Sequence, residues 1–289
     1  MTEKESKESR TVSLVLGSGG ARGLAHIGAI RALEERNFSI ESIAGSSMGA
    51  VVGGMRAAGK LGDYAEWVSS LEQSDVFKLV DWTLSSGGLI SGDRIIKHLK
   101  DMVGDACIED LPIDFTAVAV DIERGREIWL SEGSLFDAIR GSIAIPGLFT
   151  PHRYHGRLLV DGGILNPIPV APTLRSLNDL TVVVNVNGPI PSAREKKRTT
   201  SGRDDADESE EATLTERIRR FFNNLIEREE PEFGEGQPGI VAMLIKSLET
   251  MESVITRQHL AVFQPDLVIE IPKDACMIHE FHRADELID

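Results

Sequence analysis

A chain of 289 residues with 41% apolar and 27% charged side chains is long enough to bury a large core and has an ordinary globular composition. Its net charge of -15 argues against nucleic acid as a partner, and two distant cysteines, Cys107 and Cys276, suggest neither a zinc site nor a disulfide framework. Residues 1–10 lack the apolar stretch of a signal peptide and no apolar run approaches the ~18 residues of a membrane span, so a cytoplasmic chain, free or peripheral at the inner membrane face, is expected.

Residues 1–10 alternate in charge and read as a flexible lead-in. Val12–Leu16 is a nearly continuous apolar run, the pattern of a strand covered on both faces of a parallel sheet. Leu24, Ile27, Ile30 and Leu33 then recur at helical spacing over Ala21–Arg36, with Asn37 as its end. Ile40–Ala44 is the next strand, and Ser47–Lys60 a Gly- and Ala-rich helix able to pack closely on the sheet. Helices are expected over Asp63–Trp82 and Gly92–Val103, with Ser85 to Gly88 as the loop between them. Phe115–Val120 and Arg126–Leu130 read as strands joined tightly and antiparallel at Glu123-Arg124-Gly125. A helix over Asp137–Ser142 is stopped by Pro146 and Gly147. Leu158–Val160 is a short strand ending in Asp161-Gly162-Gly163, and Thr181–Val186 a buried one; Pro167, Pro169 and Pro172 between them lead into a helix start.

Composition changes abruptly from 189 to 212, where six of the eight residues from Asp204 to Glu211 are acidic and large apolar side chains are nearly absent. Such a stretch cannot bury enough apolar area to offset its ordering entropy, so a disordered acidic insertion is expected. Leu214–Ile226 is an amphipathic helix with Arg217, Arg219 and Arg220 toward its polar side. It is read as packed on the domain, with a lipid interface as the alternative. After a loop at Gly234–Gly239 come a long helix, Ile240–Phe263, a final strand, Leu267–Ile271, and a short acidic tail.

Two glycine-rich turns carry the chemistry. GSSMG, from Gly45 to Gly49, sits between strand and helix, where small residues two positions either side of Ser47 permit a strained turn that pushes Oγ outward. The helix that begins there aims its N-terminal amides at developing negative charge. Alone, such a turn often caps a helix and nothing more. GSGGARG, from Gly17 to Gly23, also follows a strand and can present several N–H groups to an anion. A dinucleotide loop would need glycine where Arg22 stands, and no Gly-Lys-Ser/Thr follows for a Walker A loop. A general α/β-hydrolase would build more of its sheet before the elbow than the two strands that precede Ser47.

Together these residues resemble the patatin-like phospholipase family, in its small bacterial members. That family combines GGGxRG, GxSxG and a later Asp-Gly-Gly or Asp-Gly-Ala; here they stand at Ser18–Gly23, Gly45–Gly49 and Asp161–Gly163. GSIAIPG (Gly141–Gly147) and FHRADELI (Phe281–Ile288) extend the resemblance over nearly the whole chain. Ser18 and Gly141 depart from it, standing where the family usually has glycine and alanine. The resemblance implies a three-layer α/β/α sandwich with a mainly parallel central sheet, formed by one domain over residues 11–289. It also implies a serine acyl hydrolase in which Ser47 is the nucleophile and Asp161 the general base, without a histidine. Gly19, Gly20 and Ala21 are the expected oxyanion donors, and Arg22 either binds a substrate phosphate or pairs with a structural acid. Phospholipid, lysophospholipid or another fatty acyl ester is the expected substrate, with no metal and no cofactor. His26 is expected to pack or hydrogen-bond locally; His152, His155, His259, His279 and His282 are the third members available to a conventional triad. An adaptor that keeps the fold but only binds a partner is the reading from another class.

Overall fold

A computed structural model describes residues 9–72, 74–76, 90–190 and 240–289. The 85–88 loop, the bulk of the acidic insertion, the 214–226 helix and nearly all of the N-terminal lead-in lie outside the described residues. One sheet gathers strands β1 (Arg10–Leu16), β2 (Phe38–Ser46), β3 (Asp114–Asp121), β4 (Arg126–Leu130), β5 (His152–Tyr154), β6 (Arg157–Asp161), β7 (Leu180–Gly188) and β8 (Leu267–Pro272). Its order is β5-β6-β3-β2-β1-β7-β8, with β4 also paired to β3. The pairs β1–β2, β1–β7, β2–β3 and β7–β8 are parallel, while β3–β4, β3–β6 and β5–β6 are antiparallel.

The helices are α1 (Ala25–Glu35), α2 (Met48–Ala57), α3 (Leu61–Ser69), α4 (Asp93–Val103), α5 (Leu135–Ser142), α6 (Ile240–Phe263) and α7 (Ala284–Ile288). The nearly continuous apolar run of β1 has its reason in two cores. Val12, Leu14 and Leu16 pack with α1 and α2 in the larger one, while Val15 and Val183 meet Ile168, Val170, Leu260 and Phe263 on the other face. Side chains alternate across a strand, so a sheet covered on both faces must be apolar at every position. Ser13 interrupts the run and is satisfied by the hydroxyl of Ser42 and the amide of Asn178. The fold is therefore the expected three-layer α/β/α sandwich.

Several elements differ locally from the periodicity. The helix expected from Ala21 opens as a 3-10 turn over Gly20–Leu24 and becomes α-helical only at Ala25. The cause is the left-handed backbone at Gly20 and a hydrogen bond that draws the Ala21 N–H to the Ile278 carbonyl. The helix expected over Asp63–Trp82 is α3, ending at Ser69; residues 77–82 are outside the described set. After Pro172 only a 3-10 turn, Ala171–Arg175, forms. The segment expected as an acidic tail instead folds back as α7, burying Ala284 and Ile288 against the larger core.

Candidate active site

The elbow follows from two close backbone approaches. A Cβ on Gly45 would lie 2.3 Å from the Gly49 carbonyl oxygen, and one on Gly49 would lie 2.1 Å from that of Leu16. No residue but glycine fits either place. Between them Ser47 takes φ 55°, ψ -123°, a conformation that costs a non-glycine residue about 1–3 kcal/mol. Hydrogen bonds hold it there: Ser47 N–H donates to Ser142 Oγ (2.9 Å), whose hydroxyl donates in turn to the Val118 carbonyl (2.6 Å).

Register brings the second residue in. On β3, Val118 pairs with Ser46 and the next residue, Ala119, pairs with Asp161. β2 and β6, on opposite sides of β3, thus end at adjacent steps of that strand. Ser47 Oγ donates to Asp161 Oδ2 at 2.6 Å, and Gly163 N–H donates to Oδ1 at 2.7 Å, which fixes the carboxylate plane. Ser47 is 5% and Asp161 4% exposed. Burial pushes the Asp161 carboxyl up to about 6 against the two hydrogen bonds, which pull it down. At neutral pH it is ionised and more basic than an ordinary aspartate.

The glycine-rich loop is pinned at almost every residue. Gly17 N–H donates to Val184 O, Ser18 N–H to Pro167 O, and Asn187 Nδ2 to Ser18 O (2.8 Å). His26 is fully buried, with Nε2 2.8 Å from the Gly17 carbonyl; burial lowers it to about 4, so it stays neutral. It anchors the loop and is not a base. Arg22 is also committed: it donates to Asn187 Oδ1 (2.7 Å) and the Lys273 carbonyl (3.2 Å) and stands 3.8 Å from Glu249. This geometry matches the structural pairing considered for it. Ala21 N–H, expected as an oxyanion donor, is engaged by Ile278 O at 2.9 Å. Gly19 and Gly20, at the cap and first position of the 3-10 turn, have no intrahelical acceptor for their N–H groups.

Comparison with known proteins decides the family. The description Patatin-like phospholipase matches residues 14–174, more than half of the chain. The chain belongs to the patatin-like phospholipase family. An uncharacterized NTE family protein of Mycobacterium tuberculosis is 40% identical over 97% of this chain and 89% of its own length. A protein of Emericella nidulans named as a lysophospholipase is 34% identical over 56% of this chain, which is 11% of that much longer protein. The crystal structure of VipD from Legionella pneumophila aligns over 98% of this chain and 67% of its own, at 14% identity and a TM-score of 0.44. Membership makes lipid hydrolysis the family-level activity.

In this patatin-like site, His152 is engaged by Asp137 and His259 by the Ile168 carbonyl, while the Ser47 hydroxyl is engaged by Asp161. Among the described residues no cluster is placed to hold a metal, and no helix is long and apolar enough to cross a membrane. Both cysteines are free thiols. Three residues are given no role by the sequence reading. Ser142 had a signal, a hydroxyl inside GSIAIPG on the last turn of α5, and Asn187 another, a polar residue closing the apolar run of β7. Glu252 is marked only by a carboxylate at the inward spacing of α6.

Proposed function

We propose that the chain is a serine acyl hydrolase of lipid esters that works through Ser47 and Asp161 without a histidine. The observation that carries this reading is the 2.6 Å hydrogen bond from the strained Ser47 hydroxyl to a buried carboxylate. As Oγ attacks an ester carbonyl, Asp161 takes its proton and the carbonyl electrons move to oxygen. Gly19 and Gly20 N–H groups, which no intrahelical acceptor takes, are the donors we assign to that oxyanion, where one donor is worth about 2.7–4 kcal/mol. Collapse returns the proton to the leaving alcohol and leaves an acyl-serine, which water, deprotonated by Asp161, then hydrolyses. The raised Asp161 value suits a base operating near neutrality. Family membership and the fungal lysophospholipase favour phospholipid or lysophospholipid as substrate.

Fluorophosphonate labelling and hydrolysis of lysophospholipid and short-chain esters by wild type, Ser47→Ala and Asp161→Asn test this. Both variants are expected to lose at least about a thousandfold in kcat, with labelling abolished in Ser47→Ala. Undiminished hydrolysis by either variant would remove the dyad. A histidine substitution as damaging as Asp161→Asn would restore the triad.

A further inference from the structure

Leu248, Glu252, Ile255, Thr256 and Leu260 recur three or four apart along the less exposed side of α6. Glu252 is the carboxylate on that side. Its Oε2 accepts a hydrogen bond from Ser18 Oγ at 3.3 Å, so it touches the glycine-rich loop at the residue where this chain carries serine in place of the usual glycine. Its Oε1 lies 2.6 Å from the place a Cβ on Gly163 would take, and Asp161 Oδ1 lies 3.0 Å from that same place. Two carboxyl groups thus share the space that the missing side chain of Gly163 leaves open.

The charges around Glu252 are unequal. Asp161, on β6, and Glu249, one turn earlier on α6, oppose its ionisation; Arg22, from the glycine-rich loop, favours it but is already divided among Asn187, the Lys273 carbonyl and Glu249. Burial first and Asp161 second push the Glu252 carboxyl up to about 8, with the Ser18 hydrogen bond pulling the other way. Of the two acids Asp161 ionises first, which leaves one negative charge between them at pH 7.

We propose that Glu252 is a positioning residue of the active site: its carboxyl, neutral in the working enzyme, holds the Ser18 hydroxyl and keeps a second negative charge away from Asp161 and the nascent oxyanion. The proposal rests on the dyad reading above. Attack by Ser47 moves a proton onto Asp161 and places negative charge beside Gly19 and Gly20. An ionised Glu252 at this distance would oppose that charge and would draw Asp161 toward its protonated form, which cannot act as a base. Ser18 then has a purpose that a glycine could not serve, since it ties the loop to α6.

The experiment is the pH profile of kcat/KM from pH 5 to 10 on a short-chain nitrophenyl ester, with the full chain as wild type, Glu252→Gln, Ser18→Ala and Ser47→Ala. Wild type is expected to rise through about 6 and to fall above about 8. Glutamine keeps an acceptor for Ser18 but cannot ionise, so Glu252→Gln should keep the rise and lose the fall, exceeding wild type at least about tenfold at pH 9.5. Ser18→Ala should keep the alkaline fall while kcat drops about three- to tenfold at unchanged KM, because the tie is lost but the carboxyl stays. A wild-type profile flat to pH 9.5 overturns the proposal whether or not any variant folds. So does a Glu252→Gln profile that falls as wild type does. If Ser47→Ala retains full activity the dyad reading itself has failed; if activity needs Ser47 but the alkaline limb is absent or insensitive to Glu252, this proposal alone has.

Discussion

Replacing Asp161 with asparagine measures what the buried carboxylate costs the fold, independently of any substrate. In the unfolded chain this carboxyl ionises near 3.8, and in the folded chain burial moves it to about 6. That gap of about two units is worth about 3 kcal/mol between the two protonation states. Because the folded value is the higher one, the contribution of Asp161 to stability is fully present below pH 3.8 and is lost as pH climbs through about 6. Asparagine has no proton to lose, and its Oδ1 can still accept from Ser47 or Gly163. The unfolding free energy of Asp161→Asn relative to its Asp161 parent should therefore shift in the variant's favour by about 2.4 kcal/mol between pH 4 and pH 7, most of that full gap. Asp161 is one of the groups that raise Glu252, so both chains carry Glu252→Gln, and the titrations of the remaining groups then cancel in the difference. Urea unfolding at constant ionic strength reads the quantity and keeps the chain dissolved near its isoelectric point of about 5.0. A difference equal at the two pH values within about 0.5 kcal/mol would refute the claim that burial dominates the carboxyl's environment.

Two further substitutions probe the scaffold. Ser142→Ala leaves the Ser47 N–H and the Val118 carbonyl unpaired in the core, so urea unfolding should show a loss of about 1–3 kcal/mol, and ester hydrolysis should fall with it as the elbow loosens. Gly28→Ala would place a methyl 2.2 Å from the Ile288 carbonyl oxygen. It should displace α7, seen as faster amide exchange over residues 284–288, while urea unfolding of the sheet changes by less.

The parts of this molecule that could be read in advance are those governed by near neighbours in sequence. Val12–Leu16 announces a doubly covered strand by its nearly continuous apolarity, and the glycines at 45 and 49 mark a tight strand-to-helix turn. The pairing of Ser47 with Asp161 came through family resemblance; its physical cause, the adjacent register of Ser46 and Asp161 on β3, lies in strand pairing that no local pattern encodes. Ala21 shows the same limit. Nothing near it in sequence reveals that Ile278 will claim its N–H, and so the expected donor set loses Ala21. Glu252 was hidden for a related reason: a glutamate on a long helix reads as solvated surface until the helix is laid over Gly163.

The anchors of the glycine-rich loop come from far along the chain: Pro167, Val184 and Asn187, then Ile278, more than 250 residues beyond the loop itself. Local contacts form early in folding and contacts between distant segments form late. On a ribosome, the elbow and the first parallel strands emerge long before the segment that fixes the loop. A nascent chain would thus carry the Ser47 turn while the glycine-rich loop is still unfixed. On the reading proposed above, lipid hydrolysis would wait for the last-made segment to fix that loop.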